Sequence, residues 1–133
     1  MSARFRRDVE ALGEVFELVD AFFSREALSA NLRFPVDLAV EEIFTNFVKY
    51  NAGAPSDITV SLRRDRDELV VSLTDSEAVR FDPTRLPPPD VNAPLAERSP
   101  GGLGIHLVKN VMDRVEYEHG DRRSTVTLYK RLD

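Results

Sequence analysis

Glu42 and Asn46 lie four residues apart in the run EEIFTNFVKY (41–50), with Lys49 three residues further on. On a helix this spacing stacks the three along one face. A carboxylate there can take a proton from an incoming hydroxyl. An amide oxygen beside it can serve a hard cation such as Mg²⁺, which prefers oxygen ligands and shares them with substrate phosphates. The plainer alternative is a surface helix with scattered polar residues, although the neighbouring Ile43, Phe44 and Phe47 argue that this face is not simply solvated.

Two further segments carry chemistry. Gly101, Gly102 and Gly104 in PGGLGIHLVKNVMD (100–113) open a helical pattern. Backbone N–H groups there can approach an anion, and the helix N-terminus adds partial positive charge, which suits a phosphate. No Gly-Lys-Ser/Thr follows, and a proline-rich stretch precedes where a dinucleotide-binding fold needs a strand, so this is neither a P-loop nor a dinucleotide fingerprint. A hinge before an ordinary helix is the competing reading. In LTDSEAVRFDP (73–83), Asp75 falls where a strand yields to a loop and can accept a hydrogen bond from an exocyclic amine such as that of adenine. Asp, Ser and Asp-Pro are also ordinary turn formers.

The elements that must position these residues follow from periodicity. Val9, Leu12, Phe16, Val19 and Phe23 recur at helical steps and predict an amphipathic helix over 8–25. A second helix is expected over 35–51, with Pro35 in its first turn and Asn51 and Gly53 ending it. Ile58, Val60 and Leu62 alternate with polar residues, and Leu69 to Leu73 form an apolar run, as in two strands joined by a polar hairpin and ending near Asp75. Residues 83–100 contain six of the eight prolines and read as a long loop, a length usual for lids and binding loops. A helix with Ile105, Val108, Val111 and Met112 on its apolar face follows, then strands near 114–119 and 123–131. The expected fold class is α+β, a two-layer α/β sandwich with helices on one face of a mixed, mostly antiparallel sheet.

Composition narrows the function classes. The 133 residues suffice for one buried core, and 18 Lys+Arg against 23 Asp+Glu leave a net charge of −5, which offers no broad attraction for nucleic acid or an anionic membrane. Without Cys there is no disulfide, thiolate catalysis or Cys-based metal site, and two His leave little for a His-rich one. No run of apolar residues is long enough to span a membrane, and a cytoplasmic location is the expectation.

Taken together and in this order, EEIFTNFVKY, DSEAVRFDP, PLAERSPGGLGIHLVKNVMD and STVTLYKRL resemble the N-box, first glycine box, lid end with second glycine box, and last strand of the GHKL (Bergerat-fold) ATP-binding domain. The resemblance is to its anti-sigma-factor serine/threonine kinase branch, of RsbW and SpoIIAB type, and covers nearly the whole chain as one domain. It implies ATP and Mg²⁺ as cofactors, with Asn46 at the metal and Glu42 as general base on the acceptor serine. It implies Gly101, Gly102, Leu103, Gly104 and Ile105 beside the triphosphate, Lys49 and Arg98 as phosphate contacts, and Asp75 and Phe81 at the adenine box. Residues 84–100 match the ATP lid, and Ser124 or Thr125, with Thr125 carried forward, falls where the family often has a threonine near adenine.

The first glycine box departs from the family pattern. Phe81-Asp82-Pro83 is present, but with Phe81 as anchor Ala78 takes the glycine place and Ser76 the aspartate place, and with Asp75 as anchor, the preferred alignment, Glu77 takes the glycine place and one residue is inserted. The resemblance implies a kinase that binds a sigma factor, phosphorylates a STAS-domain anti-anti-sigma partner and can form a homodimer. The altered box motivates the competing expectation, a module of the same fold that sequesters a partner without chemistry.

Overall fold

The computed structural model describes residues 1–50, 56–76 and 102–132, with the side chains of residue 50 and of 102–105 left aside. Strand β1 (Ser2–Phe5) opens the chain, and helix α1 (Leu12–Glu26) follows after a short 3₁₀ turn at Val9–Ala11. Asp8 starts that turn by accepting the Glu10 N–H on its side chain, and Ala27 ends α1 in the left-handed region at φ 52°. Helix α2 (Arg33–Tyr50) follows a second 3₁₀ turn, capped by Ser29, and carries Pro35 in its first turn. Then come β2 (Ile58–Asp65), β3 (Glu68–Asp75), α3 (Gly102–Val111), β4 (Arg114–Gly120) and β5 (Arg123–Arg131).

The helix expected over 8–25 thus begins as a 3₁₀ turn, and the second helix starts two residues before its expected 35. Strand β1 was not expected at all. Its four residues offer only Ala3 and Phe5 in alternation, too short a pattern to read, and it forms by pairing with a strand more than fifty residues away.

Sheet order is β1-β2-β3-β5-β4, and every pairing among the described strands is antiparallel, where the sequence reading allowed a sheet that is mostly so. Period-2 alternation sorts the strands into two faces. One face presents Val60, Leu62, Val71, Leu73, Val126 and Leu128 to the helices, where they form a single buried cluster with residues such as Val19, Phe22, Ile43, Phe44 and Val108. The other presents Thr59, Ser61, Ser72, Thr74, Thr125 and Thr127, all partly exposed. The result is a two-layer α+β sandwich. Among the described residues no helix is long and apolar enough to cross a membrane.

Two contacts orient α3. Lys130 Nζ donates to the Val111 carbonyl at 2.7 Å, and the Asp113 N–H donates to the Tyr129 carbonyl at 2.9 Å, so the C-terminal end of α3 sits beside the last residues of β5. Val108, 1% exposed, packs into the common core. The helix therefore runs back along the sheet and directs its first turn, at Gly102, towards the end where β3 finishes and β5 begins.

Candidate functional site

That end of the sheet gathers the polar residues that are buried. Asn46, Asp75 and Ser124 are 2%, 0% and 0% exposed and are the buried polar residues among those described. Cross-strand register places Ile58, Asp75, Ser124 and His119 in one row on the helix-covered face. Asp75 is gripped by Arg7: Nη1 donates to Oδ2 at 2.8 Å and Nη2 to Oδ1 at 2.5 Å. Next to it, Ser124 Oγ is shared with His119 Nδ1 at 2.7 Å and Tyr117 OH at 3.1 Å.

Helix α2 reaches this end through its C-terminal half, because Arg7 Nη1 also donates to the Phe47 carbonyl at 3.2 Å. One residue earlier, Asn46 Nδ2 donates to the Glu42 carbonyl at 2.6 Å. Its own helix thereby holds the amide nitrogen, which turns the carbonyl oxygen to the remaining side. That oxygen is the kind of ligand Mg²⁺ takes in company with phosphates, so Asn46 fits the metal role. Among the described residues no three His, Asp or Glu side chains converge as a protein-only metal cage.

Glu42 is partly buried, and its carboxyl is pushed above the usual 4.5, chiefly by burial and then by the neighbouring charge of Glu41, with Lys49 pulling it down. Glu42 and Lys49, seven residues apart, lie two turns apart on the same face of α2. A carboxylate raised in this way binds a proton better than a free one, which is what a general base needs.

The expected site residues fall into three groups. Glu42, Asn46 and Lys49 share one face of α2, and Asp75 stands at the end of β3 near the same helix. Gly102, Leu103, Gly104 and Ile105 form the first turn of α3, so the two glycines lie within the helix rather than ahead of it. Phe81, Arg98, Gly101, the 84–100 lid and the Glu77 position lie outside the described residues.

Thr125 is not brought to Asp75. It stands on the open face, where its Oγ1 meets Thr74 Oγ1 at 3.1 Å, and Ser124, one residue earlier, takes the place beside Asp75. One step along a strand reverses the face, and the sequence reading lacked the register needed to choose.

Arg7, Ser56, Tyr117 and His119 were missed altogether. No spacing rule links residues 68 positions apart, and the only available signal was a basic residue just past a short alternating start. A cleft of about 480 Å³ lies at the β4–β5 turn, lined by Glu118, His119, Gly120, Asp121, Arg123 and Thr125.

The family model for the histidine kinase-like ATPase domain matches residues 5–130, and the chain belongs to this family. Its relatives there are protein kinases. It is 32% identical to the serine/threonine-protein kinase BtrW of Bordetella bronchiseptica over 106 residues, 78% of this chain and 74% of that one. It is 33% identical to the serine-protein kinase RsbW of Halalkalibacterium halodurans over 85 residues, 61% of this chain and 52% of that one, and so spans about half its length.

Among solved structures, the RsbU and RsbW domains of Rv1364c from Mycobacterium tuberculosis superpose with a TM-score of 0.71 at 14% identity, covering 99% of this chain and 32% of that one. The SiaB–SiaC complex of Pseudomonas aeruginosa gives 0.60 at 17% identity, covering 98% and 88%. These two likenesses establish the fold. The enzyme class that the sequence relatives define is the ATP-dependent serine/threonine protein kinase.

Proposed function

We propose that the chain is a cytoplasmic serine/threonine kinase of the anti-sigma-factor type, which binds a sigma factor and phosphorylates a STAS-domain antagonist. The observation that carries this reading is the α2 face. There Glu42, with its carboxyl pushed up, stands one turn from an Asn46 whose amide nitrogen is already tied to the Glu42 carbonyl.

Phosphoryl transfer asks for positioning and charge stabilisation more than covalent chemistry from the protein. In this scheme Glu42 accepts the proton of the acceptor serine hydroxyl. The serine oxygen forms the new bond to the γ-phosphorus, the bond from that phosphorus to the β–γ bridging oxygen breaks, and ADP leaves with its electron pair. Asn46 Oδ1 would hold Mg²⁺, which neutralises phosphate charge when bound. The first turn of α3 offers backbone N–H groups to the phosphates, Asp75 accepts from the base, and the 84–100 segment acts as lid.

Glu42→Gln is expected to keep Mg·ATP binding by calorimetry while transfer of labelled phosphate to a STAS-domain acceptor falls by roughly 10²–10⁴-fold. Asn46→Ala is expected to lose the magnesium-dependent part of binding. Undiminished transfer by Glu42→Gln removes the base assignment. Absence of nucleotide binding by the unaltered chain replaces the kinase reading with that of a sequestering module.

A further inference from the structure

Arg7 lies two residues beyond β1, and its side chain is 4% exposed, against 1% for Asp75. Besides its two bonds to the carboxylate, the guanidinium donates to the Phe47 carbonyl in α2 and to Ser56 Oγ just ahead of β2, each at 3.2 Å. One side chain thus ties the second helix, the approach to β2 and the end of β3 to a single carboxylate. As a source of stability this is a poor device, because desolvating two charges cancels most of their attraction, and an apolar pair of equal volume does as well or better. What a planar fork does supply is direction, since two parallel N–H bonds fix the plane of the carboxylate they hold.

We infer that Arg7 is the positioning residue for base recognition at Asp75. By fixing the plane of that carboxylate, it makes the site take a purine with a 6-amino group and turn away one with a 6-oxo group. The inference rests on the nucleotide-binding reading above. A carboxylate has no hydrogen to donate and about four acceptor positions, and Arg7 takes one on each oxygen. A 6-amino N–H meets such a group as a donor. A 6-oxo oxygen meets it as a second acceptor, so two acceptors face each other in a buried place with no hydrogen between them. Without the guanidinium the buried carboxylate loses its fixed plane, and with it the alignment that favours a 6-amino donor.

Calorimetric titration of the full chain with Mg·ATP and Mg·ITP, which share sugar and triphosphate, separates the possibilities. The unaltered chain is expected to prefer ATP by more than about 30-fold, as a site built on a specific hydrogen bond does. In Arg7→Met, ATP affinity is expected to fall about tenfold and the preference to drop below about threefold, with Arg7→Lys, which keeps the charge without the fork, in between.

Should Arg7→Met give no cooperative melt, the lysine variant decides alone: a preference lowered by about threefold or more upholds the inference, and an unchanged one overturns it. Equal weakening of both nucleotides in Arg7→Met overturns it as well, since Arg7 then only braces α2 against the sheet. So does a gain in ATP affinity, since Arg7 would then be occupying the place of the base. An unaltered chain that binds both nucleotides equally defeats this inference alone. One that binds neither defeats the proposed function together with it.

Discussion

Leu73 and Val126 face each other across β3 and β5, and two residues along the same face Asp75 and Ser124 do the same. All four are buried. The first pair is held by packing, which is non-directional, so neighbours of similar volume can replace one another. Each member of the second pair depends on named partners: Arg7 for Asp75, and His119 and Tyr117 for Ser124. The apolar stretch therefore makes the sheet stand, while the polar stretch beyond it is specific in a way that stability alone does not require. Among the described residues, buried polar groups collect at the end of the sheet that α2 and α3 both approach, where directional bonds sustain them.

The contrast is broken most severely at Asp75. Asp75→Ala leaves Arg7 buried without its counter-charge and is expected to cost about 3–5 kcal/mol of unfolding free energy in urea titration, whereas Arg7→Met combined with Asp75→Leu restores most of it. Recovery by the double variant would show that the pair serves recognition, and a loss as large as in the single variant would assign it to the fold. At Leu73 the expectation is reversed. Leu73→Ala costs about 3 kcal/mol for the lost methylenes and cavity, but Leu73→Met costs under about 1.5 kcal/mol by the same measurement, because volume is what matters there.

The mildest test concerns Glu42, a polar group kept partly buried. Its carboxyl lies above 4.5 in the folded chain through burial and Glu41, so the folded state holds that proton more tightly than the unfolded one. Stability from this group is present below the unfolded value and is lost as pH rises through the folded one. Glu42→Gln is therefore expected to raise the melting temperature at pH 7 to 8, with the gain vanishing below about pH 4.5, even as phosphotransfer falls. A variant that melts lower at neutral pH would mean that Glu42 supports the fold through bonds not seen in its ionisation.

Much of this was legible in the chain. The apolar steps of α1 and α2, the alternation of Ile58, Val60 and Leu62, and the end of β3 at Asp75 were all read from period alone, because burial on one face imposes 3.6 or 2 on the sequence. Glu42, Asn46 and Lys49 could be placed together for the same reason, since helical neighbours are local. Strand β1 could not, because four residues carry too little pattern and their strand state depends on pairing with β2. Ser124 and Thr125 could not be told apart by face, because register across β3 and β5 decides which of them stands on the side of Asp75.

The sequence by itself therefore determined the family, the layers and the helix face bearing Glu42 and Asn46, all of which rest on local order along the chain. Tertiary structure alone decided that Arg7 meets Asp75 and that Ser124 meets His119 and Tyr117. Hydrogen bonds act over about 3 Å in space, and in the first of these pairs 68 residues of chain separate the partners.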